Sequence, residues 1–354
     1  MIISKRIPKN IFLLTISLFL IICSFHSIEG KNINVGPNGN KDYTSIQRAI
    51  ENASNGDTID VNNGNYFEKI EIDKKITING INNPKITWSN EDHAVKITEN
   101  EVTFSGFQIV GKNDKGIKID SDYNLIKNCH ISNSNYGIFI FSANNNTIRE
   151  NIIENTTNCG INLFSSDENN IIINEIKCNK NGLGFLNSNK NNILGNKIHN
   201  NYEKGMKIIS SDENVFSKNN ISNNNLTGIS ISLASNNNTI FYNNFINNSN
   251  QATDYSKNIW YNTDKKIGNF WSNYQEIYKN ASSNRNIWNQ PYNISKGDNK
   301  DIYPSVNLFD IKIEDQVKDL NNSDSSNIDS YFYLLFLFLA IVLTLALFYI
   351  KKRK

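Results

Sequence analysis

Two carboxylates are the first residues of this 354-residue sequence whose spacing could support chemistry. Asp167 and Asp212 each stand two residues before a recurrent Asn, and two periods of a sequence repeat separate them. If each period is one coil of stacked strands, the carboxyl groups lie about 9.6 Å apart, near the upper limit for the acid–base pair of an inverting glycosidase. The position between them is Asn189, and the surrounding Ser-Ser-Asp-Glu-Asn sequence is typical of solvated turns. We therefore interpret both carboxylates as turn residues and predict no catalytic site.

Side chains that bind soft metals are few and scattered. The candidates are His93, His130, His199, Met206, Cys129, Cys159 and Cys178. Soft or borderline metals require grouped His, Met or Cys ligands. His130 and His199 occupy different positions of the repeat, three periods apart, so we expect that they do not converge. The odd number of cysteines does not form a complete disulfide framework. The sequence predicts no metal site and no cofactor.

Aromatic residues are concentrated after position 257. A carbohydrate-binding surface would stack sugar rings on such side chains, because their faces are broad and apolar. We take Trp288, Tyr278 and Tyr261 as the candidates for carbohydrate binding. The alternative role is a plug that seals one end of a stacked fold, and Trp260 and Trp271 fit that role better.

A sequence repeat sets the elements that must position these residues. A Gly followed by an alternating apolar run recurs as GIKID at 116, GIFIF at 137, GINLF at 160, GLGFL at 182, GMKII at 205 and GISIS at 228. A fixed period of this length indicates stacked units, and the alternation indicates short strands. A leucine-rich repeat requires a Leu lattice, whereas the recurrent residues here are Ile and Asn. The sequence predicts an all-β, single-stranded right-handed parallel β-helix of about ten coils.

Asn residues recur at fixed positions of the repeat, and we predict that they stack into structural columns. Asn tolerates the left-handed backbone of a coil corner, and its amide can bond to the copies above and below. The first column contains Asn124, Asn146, Asn169, Asn191, Asn214 and Asn238, and the second Asn151, Asn174, Asn196, Asn219 and Asn243. A third contains Asn133, Asn155, Asn200, Asn223 and Asn247 and is broken by Cys178. A ligand-binding surface is the alternative that we disfavour.

The N-terminal region predicts secretion and then a cap. A basic start and the apolar run at 11–22 indicate a signal peptide over residues 1–30. Within residues 31–57, Thr44 and Gln47 form a capping box at the start of an amphipathic helix. We expect this helix to cover the open end of the first coil, as the terminal units of solenoids require.

The sequence that follows this helix, GDTIDVNNGNYFEKIEIDKKITINGI, resembles the N-terminal part of pectin-lyase-like right-handed β-helix proteins. The later motifs NIWYN, GNFWSNY, PYNI and DIYP are similar, in order, to the closing segment of the periplasmic copper-binding NosD-type repeat family in its archaeal cell-surface, adhesin-like branch. The resemblance spans about residues 32–304 and implies the fold. It also implies copper, which the scattered His and Met residues argue against. Between GNFWSNY and PYNI the family carries an Asp- and Gly-rich loop. In this chain Glu276 is the only acidic residue of that segment, which argues against a hard-cation site.

The C-terminal region predicts a membrane anchor. Residues 331–350 are almost purely apolar, enough for a helix of about 30 Å, and a basic tail follows at 351–354. Because positive charges stay on the cytoplasmic side, we expect the β-helix outside the cell and the C terminus inside. The predicted divisions of the mature chain are the cap at 31–57, the β-helix at 58–250, a closing segment at 251–313, an acidic Ser/Asn-rich tether at 314–330, the anchor and the tail.

These observations favour a membrane-anchored cell-surface protein that acts as a non-enzymatic binding or adhesin-like module. The expected partner is an extracellular glycan or a surface protein. A net charge of +2 without a basic patch argues against nucleic-acid binding. The second hypothesis is a polysaccharide hydrolase or lyase, disfavoured because Arg149 is the only Arg of the repeat region. Copper delivery is the third and is also disfavoured.

Ten Asn-x-Ser/Thr sequons permit N-linked glycosylation, except where the Asn points into the fold. They begin at Asn52, Asn145, Asn155, Asn220, Asn225, Asn237, Asn247, Asn280, Asn293 and Asn321.

Overall fold

A computed structural model of the chain describes residues 30–89, 92–112 and 114–311. Apart from Gly30, the predicted signal peptide lies outside these ranges, and so do the predicted tether, anchor and basic tail. Within the described ranges, no helix combines the length and the apolar character that a membrane span requires.

Three parallel sheets wind into a solenoid, with strands numbered β1–β33 in chain order. Sheet A contains, in spatial order, β1 (Asn32–Val35), β2 (Thr58–Asn62), β5 (Thr77–Ile81), β8 (Thr103–Ser105), β11 (Leu125–Lys127), β14 (Thr147–Arg149), β17 (Asn170–Ile172), β20 (Asn192–Leu194), β23 (Val215–Ser217) and β26 (Thr239–Phe241). Sheet B contains β3 (Asn65–Tyr66), β6 (Lys85–Thr87), β9 (Gln108–Val110), β12 (His130–Ser132), β15 (Ile152–Glu154), β18 (Glu175–Lys177), β21 (Lys197–His199), β24 (Asn220–Ser222), β27 (Asn244–Ile246) and β29 (Phe270–Trp271). Sheet C contains β4 (Ile70–Ile72), β7 (His93–Ile97), β10 (Lys115–Ile119), β13 (Tyr136–Phe141), β16 (Cys159–Phe164), β19 (Asn181–Leu186), β22 (Lys204–Ile209), β25 (Thr227–Ile231) and β28 (Asn250–Asp254).

Each coil passes through sheets A, B and C in turn, and the ten strands of sheet A give about ten coils. Inward Ile side chains stack from one coil to the next: in sheet A, Ile126, Ile148, Ile171 and Ile193 occupy the same register and are fully buried. Apolar columns of this kind are what alternation with a period of two predicts. The predicted all-β parallel β-helix is confirmed.

The first two predicted Asn columns are buried hydrogen-bond ladders. In each, the backbone N–H of one ladder residue donates to the side-chain oxygen of the next, as from Asn169 to Asn191 Oδ1 at 2.8 Å. The side-chain amide donates in the opposite direction, as from Asn191 Nδ2 to the Ser166 carbonyl at 3.1 Å. One Asn side chain therefore supplies both a donor and an acceptor to the backbone of other coils.

The predicted conformation of these Asn residues was wrong. The left-handed backbone belongs to the residue before each ladder position, such as Glu168 (φ 58°) before Asn169 and Lys190 (φ 55°) before Asn191. The left-handed residue turns the chain at the coil corner, and the residue after it points inward. Asn tolerates the left-handed backbone, but in the first two columns its role is to form side-chain hydrogen bonds between coils.

The third predicted column was displaced by one residue. Its members Asn133, Asn155, Asn200, Asn223 and Asn247 all have positive φ angles and exposed side chains, and Cys178 also has a positive φ. The buried ladder starts one residue later, where the Thr156 N–H donates to Asn179 Oδ1 at 3.0 Å. It continues through Asn201, Asn224 and Asn248.

Helix α1 (Ile46–Asn52) lies beside β1, β2 and β4, and it buries Ile46, Ala49 and Ile50. Its N-cap is Ser45, whose hydroxyl accepts from the Arg48 N–H at 3.2 Å, so the predicted capping box from Thr44 was wrong. The first helical N–H groups are satisfied by Glu68 from the first coil, at 2.8 Å from the Ile46 nitrogen. Gln47 instead bonds to the backbone of Glu71, at 2.8 Å from its nitrogen.

The closing segment stacks aromatic rings on the last coil. Trp271 lies between Phe245 and Tyr292, with ring centroids 4.5 and 4.1 Å away. Trp260 and Trp271 are buried, and their indole N–H groups donate to Asp254 and Asp301, both at 2.9 Å. The remaining elements are helix α2 (Tyr274–Ile277) and the two-stranded pairs β30 (Ser283–Asn284) with β31 (Ile287–Trp288) and β32 (Tyr292–Asn293) with β33 (Lys300–Asp301).

Candidate functional site

The two candidate catalytic carboxylates belong to a hydrogen-bonded column at a coil corner. Asp167 Oδ1 accepts the Asn189 N–H at 2.7 Å, and Asp212 Oδ1 accepts the Asn236 N–H at 2.6 Å. Between them, Asn189 Oδ1 accepts the Asp212 N–H at 2.8 Å. Asn performs the same task as Asp in alternate coils, so the column requires an acceptor oxygen and does not require a charge.

The possible metal ligands are separated from one another. His130 Nε2 lies 2.8 Å from Glu154 Oε1, whereas His199 Nε2 lies 3.1 Å from Glu175 Oε1, so each imidazole binds a different carboxylate of sheet B. Met206, Cys129 and Cys159 are buried, and burial raises the pKa of both cysteine thiols to about 12. Among the described residues, no group of three or more His, Cys, Asp or Glu could hold a metal ion.

The three candidate carbohydrate-binding aromatics lie in the closing segment. Trp288 stacks on Tyr274 with centroids 4.9 Å apart, so one face of its indole is covered. Tyr278 packs against Tyr274 at 4.8 Å, and its hydroxyl accepts the Asn293 N–H at 3.1 Å. Tyr261 instead packs edge-on against Tyr303. Trp288 and Tyr278 therefore pack in one aromatic cluster around Tyr274, whereas Tyr261 packs separately against Tyr303.

A different surface, the outer face of sheet C, carries an apolar row. Phe141, Phe164, Leu186 and Ile209 occupy the same register in four successive strands and are all at least partly exposed. The Phe141 and Phe164 rings stack with centroids 5.5 Å apart. The outer face of a solvated sheet is ordinarily polar, and a contiguous apolar surface indicates an interaction site.

Beside this row lies an open cavity of about 400 Å³, which we call the sheet C groove. Its lining includes Tyr136, Phe139, Asn162, Phe164, Gly184 and Lys207. Gly184 forms a depression because it occupies the outward register position between Asn162 and Lys207. A β-carbon at Gly184 would lie 2.4 Å from Asn162 Oδ1, so any side chain there would have to displace the Asn162 amide.

Amide groups supply the polar part of the groove. Asn158 Nδ2 donates to the Tyr136 hydroxyl at 2.7 Å, and Asn181 Nδ2 donates to the Asn158 carbonyl at 3.3 Å. Asn181 Oδ1 is buried and has no hydrogen-bond partner within the described part of the chain. A buried acceptor without a partner is costly, and a ligand could reach this oxygen only if the Asn181 side chain moved.

An ion-pair cluster borders the groove on its N-terminal side. Lys115 Nζ lies 2.6 Å from Asp92 and 2.5 Å from Asp114, and 5.4 Å from the centre of the Phe139 ring. The hydrogen bond from Lys115 lowers the pKa of Asp92 to about 2. Asp92 is therefore ionised at neutral pH and ion-paired with Lys115. A structural role at the edge of the groove fits this state better than a role as a general acid.

Sequence analysis missed this surface, although one signal for it is present. In most repeats the outward residues after the Gly include polar ones, but GIFIF at 137 has Phe at both outward positions. The groove also depends on Asn162, Gly184 and Lys207, which share one register. The repeat alignment alone does not identify these three residues as a site.

Comparisons with known proteins agree with this fold. The family model described as "Periplasmic copper-binding protein (NosD)" matches residues 50–276. A cell surface glycoprotein of Methanothermus fervidus is 33% identical over 124 residues, which are 33% of this chain and 19% of that protein. The match thus spans about a fifth of the relative's length.

Two solved structures share the architecture. Pectate lyase Pel9A superposes with a TM-score of 0.52 at 14% identity, over 69% of this chain and 75% of the lyase. Tailspike protein 2 of bacteriophage CBA120 gives a TM-score of 0.52 at 14% identity, over 69% of this chain and 42% of the tailspike. Identities this low show the fold alone.

The described residues do not fit the copper centre that the family description implies. Cys129, Cys159 and Met206 are buried in different coils, and each sheet B imidazole binds its own glutamate. The family match nevertheless covers more than half of the sequence. The chain therefore belongs to the family described as periplasmic copper-binding protein (NosD), on a parallel β-helix of about ten coils.

Proposed function

We propose that this protein is a membrane-anchored cell-surface module that binds glycans through the sheet C groove and does not cleave them. The observation behind this proposal is the outward row of Phe141, Phe164, Leu186 and Ile209 beside the open floor at Gly184. The name of the Methanothermus relative, a cell surface glycoprotein, supports the surface location.

The chemistry of the groove suits a sugar. A pyranose ring has an apolar face of C–H groups and an equatorial edge of hydroxyl groups. Phe139 and Phe164 offer ring faces for the first, and the amides of Asn158 and Asn162 offer hydrogen-bond partners for the second. This combination of apolar walls and a few polar groups is typical of small-molecule sites.

The contacts of the nearby acids argue against cleavage. A glycosidase needs one protonated and one ionised carboxyl group beside the scissile bond. Asp92 is ion-paired with Lys115, and Asp167 and Asp212 bond to backbone N–H groups of a corner. Each of these three carboxylates is already engaged in a contact within the protein.

The last described residues of the chain do not cover the sheet C groove. Phe309 stacks on Tyr242 at 4.1 Å and exchanges two hydrogen bonds of 3.0 Å with the Asn244 side chain. Residues 308–311 therefore lie against sheet B. The tether to the predicted membrane helix would start there, on a face other than sheet C.

A glycan array tests this proposal. Secreted protein comprising residues 30–311 is probed beside Gly184→Leu, which fills the groove, and Asn200→Gly, a change at an exposed corner. We expect the parent and Asn200→Gly to bind the same glycans and Gly184→Leu to lose them while remaining folded. Glycan binding that survives in a folded Gly184→Leu protein would contradict the assignment to this groove.

A further inference from the structure

Nine of the ten sequons lie in the described ranges; in seven of these the Asn is exposed, whereas Asn145 and Asn220 are half-buried. Three of the exposed residues share one corner of the solenoid. We propose that Asn155, Asn225 and Asn247 carry N-linked glycans and form a row along the corner between sheets B and C. This inference rests only on the proposed surface location, and glycan binding by the groove can fail without affecting it.

The backbone of this corner presents these side chains to solvent. Asn155 (φ 58°) and Asn247 (φ 50°) have the left-handed conformation, and the next residue, Thr156 or Asn248, points into the fold. Asn225 is exposed one coil before Asn247. Within the described part of the chain, the side-chain nitrogens of these three residues donate no hydrogen bond, so each is available for modification.

The reaction requires a co-reactant from the secreting cell, a sugar whose anomeric carbon carries a phosphate-linked carrier. The Asn Nδ2 forms a bond to the anomeric carbon while the bond between that carbon and the phosphate oxygen breaks. The carrier phosphate leaves with the bonding electron pair, and Nδ2 gives up one proton to the transferase. No oxidation or reduction is involved.

Asn155 lies beside the sheet C groove, and Asn225 and Asn247 follow on the same corner, one and two coils beyond its lining. Asn155 and Asn247 are four coils apart on the same corner, a separation of about 19 Å along the axis. Asn158, three residues after Asn155, lines the groove. Glycans at these positions would form a hydrophilic edge along the corner at which the sheet C strands begin, opposite the apolar row at their far ends, whose Phe141 is 41% exposed.

Asn220 provides an internal contrast. Its sequon has the same form, but its Oδ1 is buried without a partner within the described residues, and Asn220 lines a cavity together with Leu308 and Ile311. A glycan there would have to displace the segment that Phe309 holds against sheet B. We therefore expect Asn220 to be unmodified in the folded protein.

The test is glycopeptide mass spectrometry of the full chain, purified from the surface of its natural cell, with protease accessibility as a separate check of surface location. We expect a common glycan mass on the peptides of Asn155, Asn225 and Asn247, and no added mass on that of Asn220. Asn155→Gln and Asn247→Gln should each lower the intact mass by one glycan, whereas Ser222→Ala, which removes the Asn220 sequon, should lower it by none. Surface-exposed protein with unmodified Asn155 and Asn247, or with a glycan on Asn220, would overturn the inference.

Discussion

Replacing Asn191 by Leu tests whether the buried ladders hold the coils together. The Asn191 side chain is fully buried and serves two backbone groups: its Oδ1 accepts the Asn169 N–H at 2.8 Å, and its Nδ2 donates to the Ser166 carbonyl at 3.1 Å. Its third bond, to Asn214 Oδ1, is less critical because that oxygen also accepts the Asn191 N–H at 2.8 Å. Leucine is similar in size, so the main loss is two hydrogen bonds to buried backbone groups.

Each buried polar group left without a partner costs about 1–3 kcal/mol, so Asn191→Leu should lower the free energy of unfolding by about 2–6 kcal/mol. Urea unfolding followed by circular dichroism measures this change. Asn200→Gly in the same coil is the matched control, because Asn200 is exposed with a φ of 55°, which Gly adopts without strain. We expect the control to stay within about 0.5 kcal/mol of the parent. An equally small change for Asn191→Leu would refute the claim that the ladder stabilises the fold.

Three further predictions concern charge, chemistry and topology. Burial raises the pKa of Asp301 to about 7, and hydrogen bonds from Asn269 and Trp271 oppose part of this rise. The stability that protonated Asp301 contributes should be complete below about pH 4 and be lost as pH rises through about 7. Asp301→Asn should flatten this part of a plot of melting temperature against pH. The double variant Asp167→Asn, Asp212→Asn keeps both acceptor oxygens, so its melting temperature should match the parent's, and activity on uronic-acid or neutral polysaccharides that the parent shows and the variant lacks would make this column an active site. Protease added to intact cells should release the β-helix by cutting within 314–330, because that sequence lacks apolar periodicity; recovery of the intact protein in the soluble fraction after lysis would contradict the anchor.

The repeat made the solenoid predictable, because a fixed period and an alternation of two leave few architectures. The position of the ladders was harder to predict, since doublets such as Asn200-Asn201 place an Asn at both the exposed corner and the buried position. The choice between them depends on which residue adopts the left-handed backbone, and that residue is often not Asn, as Glu168 and Lys190 show.

Long-range partners account for the remaining differences. The helix cap depends on Glu68, which lies beyond the helix in the first coil and matches no local capping pattern. The sequence shows that aromatic residues are frequent in the closing segment, but it does not show that Trp288 stacks on Tyr274. The groove combines residues from several coils, and it is defined as much by the missing side chain at Gly184 as by the rings around it.

The most direct test of the central claim is a titration that compares the two aromatic surfaces. The glycan that binds best on the array is titrated into the parent, into Phe164→Ala in the sheet C groove and into Tyr261→Ala in the closing segment. If the groove is the binding surface, Phe164→Ala should raise the Kd at least about tenfold, since a lost stacking contact of about 1.4 kcal/mol has that effect, and Tyr261→Ala should leave it within about twofold. An unchanged Kd for Phe164→Ala together with a large rise for Tyr261→Ala would contradict the groove and assign binding to the closing segment.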